Sequence, residues 1–244
     1  MIYGDLLQVH LQYIVQRSIK NVTSQMPILG GSMLQIDDSG SGSFVGGTCI
    51  GVYRPETNEY YFDVIPVELY NKDNIKKKLY LDSVVSIVSH AIESFKPAKG
   101  EIIEICRGYM FEKLKLWLEQ NGYTWYSTQI TGRIQTVVEK NFELYAENLG
   151  LPRHYINYTR YPFHFHKLLR WVYADFESRI KLCKVGWQCW QRLEGQEPEI
   201  AFASILSPTF TCLKCGRHIK PGSRIKIMKY TSNKENYIYL HENC

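Results

Sequence analysis

The chain has 244 residues, 45% of them hydrophobic and 22% charged, with seven cysteines and a net charge of +5. That length admits one large domain and a small appendage, and the composition is that of a soluble globular protein. No apolar run reaches the roughly 18 residues of a membrane span, and the first residues lack the apolar core of a secretory signal, so a cytoplasmic protein is expected.

Apolar residues Leu6, Leu7, Val9, Leu11, Ile14 and Val15 recur at helical spacing, which predicts an opening helix ended by Pro27 and Gly30-Gly31. A short strand from Met33 then carries Asp37 and Asp38 at its end, followed by a turn over Ser39–Ser43. Gly46 and Gly47 open a second strand, Thr48–Tyr53, and Arg54–Asn58 turns the chain into a third, Glu59–Val67. Two acids on a rigid strand end suit a hard divalent cation, which prefers carboxylate oxygens completed by water and phosphate. An ordinary hairpin with solvated aspartates accounts for the same residues.

Leu81, Val84, Val85, Val88 and Ile92 predict a helix over Leu79–Phe95, stopped by Pro97 and Gly100. A fourth strand, Glu101–Arg107, contains Glu104. A helix over Tyr109–Gln120, a strand over Tyr123–Ile130 and a helix over Gly132–Leu149 follow. Arg153–Pro162 is aromatic, basic and irregular; its Arg160 is a candidate nucleic-acid contact, since aromatics interleaved with bases suit stacking and phosphate binding. A long last helix is expected from Phe163 to Gln191, with Asp175 inside it and His164 and His166 at its start. Histidines there are more simply surface groups than ligands.

The tail concentrates charge and cysteine. From Thr209 onward seven cations face two carboxylates, which accounts for the whole net charge. Lys220, Arg224 and Lys226 are candidate contacts to a polyanion, binding through counterion release. Cys212-Leu-Lys-Cys215 and His241-Glu-Asn-Cys244 present three thiolates and an imidazole at the spacing of a closed, structural zinc site, with His218 as an alternative to His241. The odd, clustered cysteines favour reduced thiols and a metal over a disulfide framework. The expected organisation is a helical extension (1–30), an α/β domain (31–193), a linker (194–208) and a zinc finger (209–244).

The order of elements, with Ile36-Asp37-Asp38-Ser39-Gly40-Ser41-Gly42 ahead of Gly46-Gly47, resembles the ribonuclease H-like superfamily. The first motif is similar to that of type 2 ribonucleases H, with Asp38 for the usual glutamate and Ser41 for the usual arginine. Glu104 is similar to the fourth-strand glutamate of RuvC-type resolvases. The C-terminal ligand pairs resemble a treble-clef zinc finger. The first of these resemblances implies a mixed sheet flanked by helices. It also implies two Mg²⁺ or Mn²⁺ ions held by Asp37, Asp38, Glu104 and Asp175, and hydrolysis of phosphodiester bonds in an RNA–DNA hybrid or branched DNA. Against it stand pairings of Glu104 with Arg107 and of Asp175 with Arg179. A catalytically silent binding or scaffold protein that docks through its finger is the second reading. An actin-like ATPase, which needs two related lobes, is a distant third.

Overall fold

The computed structural model describes residues 32–156, 164–204 and 210–244. The expected N-terminal helix and Arg160 lie outside them. The described residues form two compact units: one from 32–41 with Thr48–Ile65 and Leu81–Asn148, the other from Gly42–Gly47, Pro66–Tyr80 and the described part of 149–244.

The first unit is an α/β layer structure around a five-stranded mixed sheet. Strands β1 (Met33–Ser39), β2 (Thr48–Arg54) and β3 (Glu59–Ile65) form an antiparallel meander. Helix α1 (Lys72–Lys76), part of the second unit, precedes α2 (Leu79–Phe95). Then β4 (Ile102–Cys106), α3 (Glu112–Gln120), β5 (Trp125–Thr128) and α4 (Arg133–Asn148) follow. Strand β4 runs parallel to β1 and β5 parallel to β4, giving the order β3-β2-β1-β4-β5. The antiparallel partners β2 and β3 are joined by the short turn 55–58 and β1 and β2 by 40–47, whereas each parallel partner is reached through helix.

One sheet face is purely apolar at its centre: Leu34, Ile36, Ile50, Val52, Ile103 and Ile105 are fully buried. At the end of that face Arg54 donates to Glu101 (2.9 Å), to Glu59 (2.6 Å) and to the Phe95 carbonyl (3.1 Å), so the buried guanidinium is fully occupied. The other face receives α4, which lies against β1 and β2. Gly51 admits that helix: a Cβ there would stand 3.3 Å from Val138 and 2.9 Å from the Tyr60 hydroxyl. Asn141 of α4 donates to the same hydroxyl at 2.7 Å.

In the second unit, the glycine-flanked stretch after β1 is packed rather than open. Phe44 is fully buried and lies 5.6 Å from Trp190 and 4.9 Å from Phe165, ring to ring. The Gly46 amide donates to Leu182 (2.8 Å), and Val45 bridges Cys183.

The long last helix expected over Phe163–Gln191 is instead four short pieces: after α5 (Arg153–Ile156) come α6 (His164–Tyr173), α7 (Phe176–Arg179), a 3₁₀ turn over Ile180–Leu182 and α8 (Gln188–Gln191). The break falls at Asp175, whose φ of −152° and ψ of 67° are not helical. Arg179 compensates it by donating to the Trp171 carbonyl (2.6 Å) while its guanidinium stacks 4.2 Å over the Trp171 ring. Further on, Gly186 sits so close to Tyr70 and Asn71 that a Cβ would meet the Tyr70 carbonyl at 2.5 Å, so the chain there is shaped by its neighbours and not by helical period.

Strand β6 (Glu199–Ser204) falls inside the stretch expected as a linker and pairs with Arg224–Lys229 of the tail, so these residues are part of a three-stranded sheet. The tail comprises β7 (Phe210–Thr211), β8 (His218–Ile219), β9 (Arg224–Thr231) and β10 (Glu235–His241), with sheet order β10-β9-β6 and a separate β7-β8 pair. Among the described residues no helix is long and apolar enough to cross a membrane.

Candidate functional sites

Two sites were expected, and the structure builds them to different degrees. The four ligand atoms of Cys212, Cys215, His241 and Cys244 all lie within 4.8 Å of one another. Cys215 Sγ is 3.4 Å and Cys244 Sγ 3.9 Å from His241 Nδ1. A tetrahedral shell with metal–sulfur bonds of about 2.3 Å has edges of roughly this length, so the cluster could hold a metal such as zinc.

The local chain makes that arrangement. The Cys212 amide donates to Arg217 (3.0 Å) and the Gly216 amide to Cys212 (2.8 Å), closing a knuckle in which Gly216 takes a φ of +74°. The β9–β10 hairpin returns the second pair, with His241 opposite Ile225. His241 Nε2 donates to the His218 carbonyl at 3.2 Å, which leaves Nδ1 as the ligating nitrogen and fixes the ring's tautomer. His218 thus serves by its backbone, and His241 is the member of the cluster. Arg179 adds outer support, donating to the Leu213 and Lys214 carbonyls of the knuckle at 2.9 Å each.

Among the described residues, this is the one group of three or more histidine, cysteine or acidic side chains with converging ligand atoms. The acids of the sheet are arranged otherwise. Asp37 is 5% exposed, on the face that receives α4. Burial, reinforced by the charges of Asp38 and Glu139, pushes its pKa up to about 6, and the Cys106 thiol donates to its carboxylate. Asp38 follows it in the strand, so it points to the opposite face. Glu104 pairs with Gln35 in the parallel ladder, one pleat behind Asp37, and accepts from Gln35 (2.7 Å) and from the Tyr126 hydroxyl. The β4 position abreast of Asp37 is held by Cys106, whose thiol is pushed up to about 12 by burial and then by Asp37. Asp175 belongs to the second unit, where Lys214 pairs with it at 3.4 Å.

Sequence reasoning missed Glu139 and Cys106. Glu139 sits on α4, the helix after β5, next to Val138, which packs over Gly51. Its signal was present as the one acid in the first two turns of that helix. Of the histidines, His164 is buried and donates from Nε2 to the Tyr155 carbonyl (3.2 Å); burial holds its pKa down to about 4, so it is a neutral core residue. Of the tail cations, Arg224 pairs with Glu242 (3.3 Å) and Lys229 with Glu235 (2.7 Å), so part of the charge is spent locally. Lys220 is exposed in the turn before β9, and Lys226 lies on β9 opposite Leu240. No protein-family model and no curated protein matches the chain.

Proposed function

We propose that the chain is a ribonuclease H-like protein that hydrolyses phosphodiester bonds of structured nucleic acid with divalent metal. The observation that carries this reading is the position of Asp37: a buried carboxylate on the central strand of a β3-β2-β1-β4-β5 sheet, with a second acid, Glu139, brought near by the helix after β5. A carboxylate with a raised pKa in such a setting is costly to keep without a compensating cation, and a bound Mg²⁺ or Mn²⁺ would offset that cost. Asp37 and Glu139 are the residues to hold it, with Asp38 within electrostatic reach; Glu104, tied to Gln35 and Tyr126, acts as a brace for the strand pair. When bound, the ion supplies Lewis acidity and an activated water. Cys106, by donating to Asp37, orients the carboxylate. In the tail, Cys212, Cys215, His241 and Cys244 hold one structural zinc ion, since a closed four-ligand shell leaves no position for catalysis.

A second reading, a silent nucleic-acid-binding scaffold, is favoured by two observations: both Glu104 oxygens already have protein partners, and Asp38 faces away from Asp37. A panel of RNA–DNA hybrid, four-way junction, flap and single strand, incubated with Mg²⁺ or Mn²⁺, separates the two. The nuclease reading expects cleavage that falls by orders of magnitude in Asp37→Asn and in Glu139→Gln while nucleic-acid binding survives. Absence of cutting on every substrate with binding intact leaves the scaffold.

A further inference from the structure

The second unit contains a cleft of about 420 Å³ lined by His166, Lys167, Arg170, Asn233, Lys234 and Asn236. None of the six is acidic, three carry fixed positive charge, and they come from two elements far apart in sequence: one face of α6 and the β9–β10 turn. Each cation is positioned. Arg170 donates to the Tyr237 carbonyl (2.8 Å), which anchors its guanidinium against β10. Lys167 donates to the His154 carbonyl (3.2 Å) and lies 5.1 Å above the Tyr155 ring. Asn236 donates to Ser232 (3.0 Å) and to the Lys234 carbonyl (2.7 Å), fixing the turn that presents Lys234. Two nitrogens in the wall, His166 Nδ1 and Arg170 Nε, are buried without a hydrogen-bond partner. Like charges brought together in a concavity repel one another and are costly unless an anion joins them. Burial, and after it the charge of Arg170, holds the pKa of Lys167 down.

We infer that this cleft binds phosphate groups. Its size suits one nucleotide-sized group, and a guanidinium fork beside two ammonium groups and an amide is the donor set that phosphate oxygens take. Carboxylates of a peptide carry half the charge per group and need planar, paired donors, which the two lysines do not form. The phosphate belongs either to a nucleic-acid backbone or to a small phosphorylated molecule. The site is built wholly from second-unit residues and does not depend on whether Asp37 supports cleavage.

The test uses the full zinc-loaded chain in low salt with two probes: a labelled single-stranded oligonucleotide followed by fluorescence anisotropy, and pyrophosphate followed by calorimetry. Lys167→Gln/Lys234→Gln is expected to weaken the bound probe at least tenfold. For the oligonucleotide it should lower the slope of log affinity against log salt by about 1.4, at ~0.7 per single-strand phosphate contact. Lys234→Gln alone, on an exposed turn, should show about half that slope change with an unaltered near-ultraviolet spectrum and zinc content. Lys76→Gln/Lys77→Gln, exposed and outside the cleft, should change affinity less than twofold. Oligonucleotide binding without pyrophosphate binding assigns the cleft to backbone phosphates, and comparable binding of both assigns it to a small phosphorylated ligand. Equal affinity of wild type and the double variant for both probes, failure of wild type to bind either, or displacement by poly-glutamate as effective as by the oligonucleotide, would overturn the inference.

Discussion

Asp37 is a residue whose burial has a measurable consequence. Its carboxyl is ordinarily half-protonated near 3.8; burial moves that point to about 6 in the folded chain. Between these values the folded protein holds a proton that the unfolded chain has released, so stability falls as pH rises through the window, and the full cost is present above it. Asp37→Asn removes the titration and keeps the shape. Urea unfolding in magnesium-free buffer should therefore find the variant close to wild type near pH 3 and more stable by up to about 3 kcal/mol above pH 7. A variant less stable than wild type at neutral pH would mean that the carboxylate's hydrogen bonds outweigh its desolvation. The same substitution abolishes the proposed cleavage, so one residue should trade stability for activity.

At the scale of elements, the exit of β1 is set by a close approach. Gly40 takes a φ of +83°, and a Cβ there would fall within the Phe142 ring of α4. Gly40→Ala should cost about 2–3 kcal/mol by overpacking and backbone strain combined. Phe142→Leu in the same chain should recover part of that loss, a coupling that a double-mutant cycle by thermal or urea unfolding measures. The tail tests a different dependence. Strands β7 to β10 are too few to bury a self-sufficient core, so the metal cluster should supply their stability. Metal analysis should find about one zinc per chain. Cys215→Ser, an exposed ligand with little packing of its own, should lose that zinc and the tail's hydrogen-exchange protection together. A tail that stays protected without metal would show that its sheet is stabilised by β6 and α6 instead.

For the whole molecule, the distribution of charge matters more than its sum. The tail's excess of cations suggested a basic finger, yet Lys214, Arg224 and Lys229 are paired with Asp175, Glu242 and Glu235. Positive side chains converge between α6 and the β9–β10 turn, in residues more than 60 positions apart in the chain. The two units also interleave along the sequence: residues 42–47 and 66–80 leave the strands they connect and join the second unit.

Local signals determined the elements of the sheet unit. The β-prone runs and turn residues of β1 to β3, the helical spacing of Leu81, Val84, Val88 and Ile92, and the glycines at 122 and 150 located strands and helices to within about three residues, because each is a local preference. The Cys/His cluster was legible for the same reason: two ligand pairs each lie within one turn, and only the hairpin between them had to be supplied. Helical spacing misled over 163–191, where contacts from Tyr70, Phe44 and the Trp171 carbonyl redirect the chain against its period. The acids behaved similarly. That Asp37 and Asp38 are adjacent is a fact of sequence, but strand alternation sends them to opposite faces. Which acid meets Asp37 depends on the register of β4 and on the rotation of α4. Register offset Glu104 by one pleat and set Cys106 abreast of Asp37, and helix packing brought in Glu139; neither is written in any local run of residues, since both depend on pairings between distant strands and on the shape of the helix–sheet interface.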